Sequence, residues 1–282
     1  MRPRATFEVV ESPTRRRLVS SIGAAGLFGL AGCSAVAAQR PELIEGALES
    51  ESPPFGRQVG EPRPVVETEV QGRAVVGPLE NPNRSIIATA AVPQIQVFAG
   101  PDEAAEVTHV MDNPTATNGD LVFLTTVNAG AWHEVLLPVR PNGSTGWIRN
   151  SDVALAEHMY RIQVDLSDFR MRLFENGATI FDAVAGVASN NTPTPGGTYY
   201  ITELLAPTIP NSVYGPFAYG LSGFSEVFET FNGGPGQLGI HGTNSPETLG
   251  SAVSAGCIRL HNEDVSRLTR FLPLGVPVTV NA

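Results

Sequence analysis

Residues 160–187 read YRIQVDLSDFRMRLFENGATIFDAVAGV. Apolar residues recur at every second position in Tyr160–Leu166 and again in Arg170–Phe174, which is the period of a β strand with one buried face. Asn176-Gly177 is a strong signal for a two-residue hairpin turn, and Thr179–Val187 is the returning strand. The stretch therefore predicts a mainly β domain in the second half of the chain.

The same domain is expected to contain one or two short helices. Val265, Leu268 and Leu272 share one face at helical spacing, so the sequence predicts a helix over Asn262–Leu272. We place the boundaries of this domain at residues 157–282.

A second β pattern precedes it, at residues 84–156. The predicted strands are Ile95–Phe98, Leu121–Val127, Trp132–Leu137 and Gly146–Ile148, and turn signals separate them. Several short strands with small turns predict a compact barrel. The stretch from Trp132 to Arg149 resembles bacterial SH3-like domains. Trp132 and Trp147 remain open to two interpretations, as core residues or as an aromatic shelf for a ligand.

The N-terminal residues are typical of an export signal. Arg15-Arg16-Arg17 precede Leu18–Gly32, an apolar run that is too short to span a bilayer as a helix. The run ends in Leu30-Ala31-Gly32-Cys33, which resembles a bacterial lipobox. We therefore predict a lipoprotein signal peptide at 1–32 and lipidation of Cys33. The triple arginine leaves Sec and twin-arginine export open.

These features predict an extracytoplasmic protein that is anchored to the cell membrane by lipid and faces the cell wall. Residues 33–83, rich in Pro and Glu, are expected to form a flexible linker. The chain has 282 residues and a formal net charge of −10, so we expect no nucleic acid partner.

The residues with catalytic potential lie in Gly239-Ile240-His241-Gly242-Thr243 and in Ser254-Ala255-Gly256-Cys257-Ile258-Arg259-Leu260. A nearby imidazole would raise the thiolate fraction of Cys257. Gly256 would let backbone N–H groups face an oxyanion. Arg259 would lie on the same face as Cys257 in an extended segment and could bind a carboxylate through two hydrogen bonds.

Two other interpretations of Cys257 were considered. A buried, inert cysteine is the simplest, but an unpaired cysteine is unusual outside the cytoplasm. A zinc site needs three or four closely spaced ligands, which Cys257, His241 and His261 do not provide. No metal and no cofactor are therefore predicted.

Both motifs together resemble the signature of the YkuD-type L,D-transpeptidases. Two further stretches are similar to that family, Thr192–Ile201 (TPTPGGTYYI) and the segment from Tyr214 to Gly234. The resemblance covers residues 159–282. It implies a mostly β catalytic domain that acts on peptidoglycan stem peptides, with carbapenem-type β-lactams as inhibitors.

The resemblance also implies roles for individual residues. Cys257 would be the nucleophile, and His241 would be the general base and acid. Gly242 would orient His241 through its backbone carbonyl, and Gly256 would supply an oxyanion N–H. Arg259, Ser254 and Thr243 are predicted to bind substrate. Ala255 departs from the family, in which many members have histidine at this place.

In the reaction that the resemblance implies, the cysteine attacks the bond after the L-centre of meso-diaminopimelate in a tetrapeptide donor and releases D-alanine. An amine of a second stem then resolves the thioester to form a 3-3 cross-link. A cysteine hydrolase of wall peptides is an alternative, and an inactive, lipid-anchored wall-binding protein is another. Since every catalytic candidate lies beyond residue 159, we expect residues 84–156 to be dispensable for the chemistry.

Overall fold

The computed structural model describes residues 7–10, 77–78, 83–231 and 233–281. Cys33, the rest of the predicted signal peptide and most of the predicted linker lie outside the described residues. No helix in the described part of the chain has the length and apolar character needed to cross a membrane.

The strands of the first part of the chain are β1 (Phe7–Val9), β2 (Gly77–Pro78), β3 (Ser85–Ala90), β4 (Gln94–Phe98), β5 (Val107–Asp112), β6 (Val122–Asn128), β7 (Trp132–Leu136), β8 (Thr145–Arg149) and β9 (Val153–His158). A 3-10 turn, Asn150–Asp152, precedes β9.

The second part contains β10 (Tyr160–Asp165), β11 (Arg170–Glu175), β12 (Ala178–Val184), β13 (Val187–Ala188), β14 (Gly197–Pro207), β15 (Ala218–Phe224), β16 (Gln237–His241), β17 (Ala252–Ser254), β18 (Ile258–Arg259), helix α1 (Asn262–Leu268) and β19 (Pro277–Asn281). A second 3-10 turn is Pro246–Thr248. The prediction of a mainly β protein is therefore confirmed.

The N-terminal sheet has the strand order β5-β4-β8-β7-β6-β3-β9, and β2 pairs with β6. Its core includes Ile95, Phe123, Val135 and Ile148, all of which are fully buried. The four predicted strands agree with β4, β6, β7 and β8 to within one residue at each end. The sequence missed β3, β5 and β9; β3 is buried at nearly every position, so it lacks the alternation that marks a half-exposed strand.

The second sheet has the order β12-β11-β10-β19-β14-β15-β16-β18. Its pairs are antiparallel except for β10 with β19 and β16 with β18. Asn176 and Gly177 have φ angles of 49° and 82°, as a two-residue turn between β11 and β12 requires. The predicted hairpin is confirmed.

Helix α1 packs beside β16 through Val265 and Leu268, both of which are fully buried. The helix is shorter than predicted and ends at Leu268, although Leu272 is still buried. Pro273 disfavours helical backbone at the residue before it, which explains why the regular helix does not reach Leu272.

The two sheets share a hydrophobic cluster around Tyr200 of β14. Ile87, Val122, Leu124 and Leu136 of the N-terminal sheet surround this fully buried ring. The Tyr200 hydroxyl donates a hydrogen bond to the Val122 carbonyl at 3.1 Å. The N-terminal sheet is therefore packed directly against the sheet that carries the catalytic candidates.

Strand β1 pairs with the far end of β14, where Phe7 lies opposite Pro207. The Val10 amide extends this pairing with a hydrogen bond to the Leu204 carbonyl at 2.8 Å. Residues 7–10 belong to the segment that the sequence assigns to the signal peptide.

Candidate active site

The paired strands β16 and β18 bring the catalytic candidates onto one face of the second sheet. His241 is the register partner of Arg259, and the Cys257 sulfur lies 3.9 Å from the position that a Cβ atom on Gly239 would occupy. Paired residues on neighbouring strands share a face, as do residues two apart on one strand. Cys257 and His241 are therefore diagonal neighbours, with Arg259 next to both.

A cavity of about 180 Å³ opens over this face. Its walls include the side chains of Cys257, His241, Tyr214, Phe231 and Glu203. Cys257 is partly exposed, whereas His241 is buried. A substrate that enters the cavity would thus meet the thiol, with the imidazole behind it.

His241 is held in one tautomer. Its Nδ1 atom lies 2.6 Å from the Gly242 carbonyl oxygen, and because a carbonyl can only accept, Nδ1 carries the hydrogen. The Nε2 atom is then left with a lone pair that can take up a proton. The Tyr214 ring contacts the imidazole edge to face, with ring centroids 4.9 Å apart.

Burial lowers the pKa of His241 to about 4. The hydrogen bond to Gly242 raises this pKa, and the charge of Arg259 lowers it further, but both effects are smaller than burial. The imidazole is therefore neutral at neutral pH, as a general base must be.

The environment of Cys257 favours the thiol over the thiolate. Burial raises the pKa of Cys257, while a backbone hydrogen bond from Gly239 and the charge of Arg259 lower it to a smaller extent. A buried neutral imidazole adds no positive charge that would lower the pKa of Cys257. The resting pair is a neutral thiol and a neutral imidazole.

The turn before the nucleophile ties Gly256 and Ser254 together through local hydrogen bonds. The Gly256 N–H donates to the Ser254 hydroxyl oxygen at 3.2 Å, and that hydroxyl donates to the Cys257 carbonyl at 2.6 Å. The Gly256 N–H is thus occupied and does not face an oxyanion in this structure. Ser254 is buried and shapes the turn, and its role in substrate binding stays a prediction. Gly256 is needed for its backbone, which has a φ angle of 132°.

The threonines of the TPTPGG stretch hold this turn from the other side. The Thr194 hydroxyl donates to the Gly256 carbonyl at 2.8 Å, and the Thr192 hydroxyl donates to the Ser254 carbonyl at 3.2 Å. Thr194 is itself buried. The stretch that resembles the family therefore positions the nucleophile through its backbone.

Thr243 also proves to be structural. It is buried; its N–H donates to the Asn262 side-chain oxygen at 2.8 Å, and its hydroxyl accepts the Ser245 N–H at 3.0 Å. The polar groups of Thr243 serve the loop after His241, and its assignment to substrate binding stays a prediction. Asn262, at the start of α1, ties that loop to the helix.

Arg259 lies beside the pair as predicted. Its Nε atom is buried without a hydrogen-bond partner among the described residues. Its charge lowers the pKa of both His241 and Cys257. Arg259 does not line the cavity, so its binding of a substrate carboxylate stays a prediction.

No sequence motif predicts a role for Glu203 or Asn262, and none was assigned to Tyr214. Tyr214 lies in a stretch that resembles the family, which could have drawn attention to it. Glu203 lies at the cavity because of the way β14 pairs with β15 and β15 with β16, and no local sequence pattern predicts that pairing. In the described part of the chain, no three side chains of His, Cys, Asp or Glu come together in a way that could hold a metal ion.

Comparisons with known proteins agree on the second half of the chain. The family model of the YkuD L,D-transpeptidase catalytic domain matches residues 159–280. A Bacillus licheniformis protein named as an L,D-transpeptidase, YkuD, is 37% identical over 134 residues, which are 47% of this chain and 70% of that protein. The Bacillus subtilis protein of the same name is 36% identical over 123 residues, which are 43% of this chain and 66% of that protein.

Among solved structures, the catalytic domain of the Enterococcus faecium L,D-transpeptidase acylated by ertapenem is similar to this chain. The identity is 18%, and the match covers 43% of this chain and 96% of that domain with a TM-score of 0.33.

Proposed function

This chain belongs to the YkuD-type L,D-transpeptidases, a family of enzymes, and we propose that it forms 3-3 cross-links between peptidoglycan stem peptides through a thioester on Cys257. One observation carries the proposal: a neutral imidazole, fixed by the Gly242 carbonyl, lines the same cavity as a partly exposed thiol. Acyl transfer between peptides needs such a pair, since the thioester must survive until an amine arrives.

In the first half of the reaction, the Cys257 sulfur attacks the carbonyl carbon of the donor. The Nε2 atom of His241 takes the thiol proton and passes it to the nitrogen of the leaving D-alanine as the C–N bond breaks. The acyl group then remains on sulfur as a thioester. Since Nδ1 stays bonded to Gly242, the ring keeps its orientation throughout the transfer.

The second half reverses these proton movements. The acceptor amine attacks the thioester carbonyl and gives its proton to Nε2 of His241. The C–S bond breaks, and the proton returns to the sulfur of Cys257. Water in place of the amine would give hydrolysis by the same residues, so the acceptor decides the product.

The proposal extends to location and inhibition. We propose that the signal peptide directs the chain out of the cytoplasm and that lipid on Cys33 anchors it to the membrane, facing the wall. A carbapenem presents a strained carbonyl to the same thiol and would acylate Cys257 in place of the donor.

The decisive experiment is mass spectrometry of muropeptides after incubation with the purified protein. Dimers cross-linked through two diaminopimelate residues, formed with release of D-alanine, are the expected product. Cys257→Ala should give none. Tripeptides without dimers, in the presence of acceptor stems, would point to a hydrolase instead. Cross-linking that persists in Cys257→Ala would overturn the mechanism.

A further inference from the structure

A row of paired residues crosses the second sheet and ends at the nucleophile. Glu203 of β14 is the register partner of Gly220 of β15, which is the partner of Gly239 of β16, and Gly239 lies next to Cys257. Because partners share a face, Glu203 and Cys257 stand at the two ends of a floor made of two glycines. All four residues line the same cavity.

The Glu203 side chain leans over this floor toward the thiol. A Cβ atom placed on Gly220 would lie 2.6 Å from the Glu203 Oε1 atom and 2.7 Å from its Cγ atom. Only glycine at position 220 leaves room for the carboxylate there. The Gln237 Nε2 atom lies 2.9 Å from the same position, so the carboxylate and this amide share the space over Gly220. Gly239 adds no side chain between them and the thiol.

The carboxylate is oriented but not neutralised. The Thr117 hydroxyl, in the loop between β5 and β6, donates to the Glu203 Oε2 atom at 2.6 Å. None of the salt bridges among the described residues involves Glu203. The Oε1 atom, on the side of Gly220, therefore keeps acceptor capacity for a cation that enters the cavity.

We propose that Glu203 binds the terminal primary ammonium of the donor's side chain and thereby selects diamino acids at the acylating position. This inference rests on the proposed function. The Glu203 Oε1 atom lies 2.6 Å from the Cβ position of Gly220, and the Cys257 sulfur lies 3.9 Å from that of Gly239. Because Cβ positions of paired residues are about 5 Å apart, the carboxylate and the thiol are separated by at most about 12 Å. A side chain of the length of lysine or diaminopimelate, with its carbonyl on the sulfur, spans that distance.

The ammonium belongs to the donor and not to the attacking amine of the acceptor. An attacking amine must be uncharged and in contact with the thioester carbonyl, whereas Glu203 lies at the far end of the glycine floor. The acylation half-reaction, measured without acceptor, therefore isolates the role of Glu203.

The test compares two synthetic tetrapeptide donors, one with a free and one with an acetylated side-chain amine. Single-turnover release of D-alanine is measured for the wild type and for Glu203→Gln, without acceptor. A charge-assisted hydrogen bond corresponds to a loss of about 10-fold or more when its charge is removed. We expect acetylation to slow the wild type by that factor, and Glu203→Gln to react with both donors at the slow rate.

Two controls separate this result from general damage. Glu226→Gln changes the same charge at an exposed carboxylate on a neighbouring loop and should keep the wild-type preference. Alkylation of Cys257 by iodoacetamide, a neutral reagent, should proceed at a similar rate in Glu203→Gln, because the thiol environment is retained.

A Glu203→Gln variant that still prefers the free amine by the wild-type factor would overturn the inference, as would a wild type that does not distinguish the donors. A wild type that alkylates normally but releases D-alanine from neither donor would overturn the proposed function, and the inference with it. The two failures are thus distinguishable.

Discussion

Arg140, in the loop between β7 and β8, donates a hydrogen bond to the backbone carbonyl of Phe228, 2.8 Å away, in the loop that follows β15. The same guanidinium bonds the carbonyls of Ser225 at 2.9 Å and Pro235 at 3.0 Å, and it lies 4.7 Å over the Phe224 ring. Pro235 itself lines the cavity with Cys257. These contacts change the expectation that residues 84–156 are dispensable for the chemistry, because one wall of the cavity depends on them.

Replacing Arg140 by alanine should loosen this loop. Three hydrogen bonds to backbone carbonyls are lost, each of which contributes about 1 kcal/mol, and Arg140 is exposed enough that water replaces part of that. We expect KM for donor stems to rise several-fold with a smaller change in kcat. Arg140→Lys should be intermediate, since an ammonium cannot reach three carbonyls as a planar fork does. An unchanged KM in Arg140→Ala would show that the loop holds its position without this residue.

Ser254→Ala distinguishes a structural serine from a substrate-binding one. The variant leaves the Gly256 N–H and the Cys257 carbonyl without their partner, and an unsatisfied buried group costs about 1–3 kcal/mol. We expect a lower free energy of unfolding in urea together with a lower kcat. Ser266→Ala, which removes a hydroxyl at the surface of α1, is the matched control. A raised KM at unchanged stability would restore Ser254 to the substrate site.

Local signals account for the part of the fold that the sequence predicts. Alternation in Tyr160–Leu166 and the turn at Asn176-Gly177 depend on neighbours in the chain, and both are confirmed. The helix was placed correctly but made too long, because its last apolar residue, Leu272, is buried after the helix ends.

The site residues likewise fall into two groups, those that a local motif predicts and those that only the folded structure brings together. His241 and Cys257 were recognisable because their motifs are contiguous. Glu203 was not, since only the register of three strands brings it to the cavity. Nor could the sequence show that the Ser254 hydroxyl turns back to the Gly256 N–H, because a side chain's hydrogen bonds depend on the folded turn.

Arg259 is expected to bind a carboxylate of the substrate, which Arg259→Lys and Arg259→Gln can test together. Lysine keeps the charge but loses the planar fork, so KM should rise roughly 10-fold while the pKa of Cys257 stays low relative to the glutamine variant. Glutamine also removes the charge that lowers the pKa of Cys257 and His241, so both pKa values should rise. The pH dependence of the alkylation rate measures the pKa of Cys257. Unchanged kinetics in Arg259→Lys would show that the planar guanidinium does not bind the substrate carboxylate.

The proposed anchor predicts a mature N-terminus at Cys33. Mass spectrometry of the membrane-extracted protein should find acyl chains on that residue, since stable anchoring takes more than one chain. Cys33→Ser should release the protein from membranes or leave the precursor uncleaved. Cleavage would also remove the β1 strand, Phe7–Val9, from the edge of β14. A mature N-terminus elsewhere without lipid mass would contradict the prediction.

The pH dependence of acylation tests the neutral thiol and imidazole pair. His241, with its pKa near 4, stays a competent base down to acidic pH, so the wild-type rate of carbapenem acylation should fall only as pH drops through about 4. In His241→Ala the rate should be roughly 10²–10⁴-fold lower at neutral pH. It should then climb about tenfold per pH unit, because only the thiolate reacts and burial raises the pKa of Cys257.

Intact mass spectrometry measures carbapenem acylation of the wild type and of Cys257→Ala. The wild type should gain one inhibitor equivalent, and Cys257→Ala should gain none.

The alternative to this prediction is a thiolate and imidazolium pair in the resting enzyme. With that pair, the wild-type acylation rate would fall at acidic pH when the thiolate, stabilised by the charged imidazole, is protonated. His241→Ala would then contain less thiolate at neutral pH. In a neutral pair, by contrast, His241 must be uncharged to act as the base, so its protonation stops the reaction. The acylation rate then falls at the pKa of His241, which burial lowers to about 4. A limb between pH 6 and 7 would show that His241 is not desolvated as the structure has it.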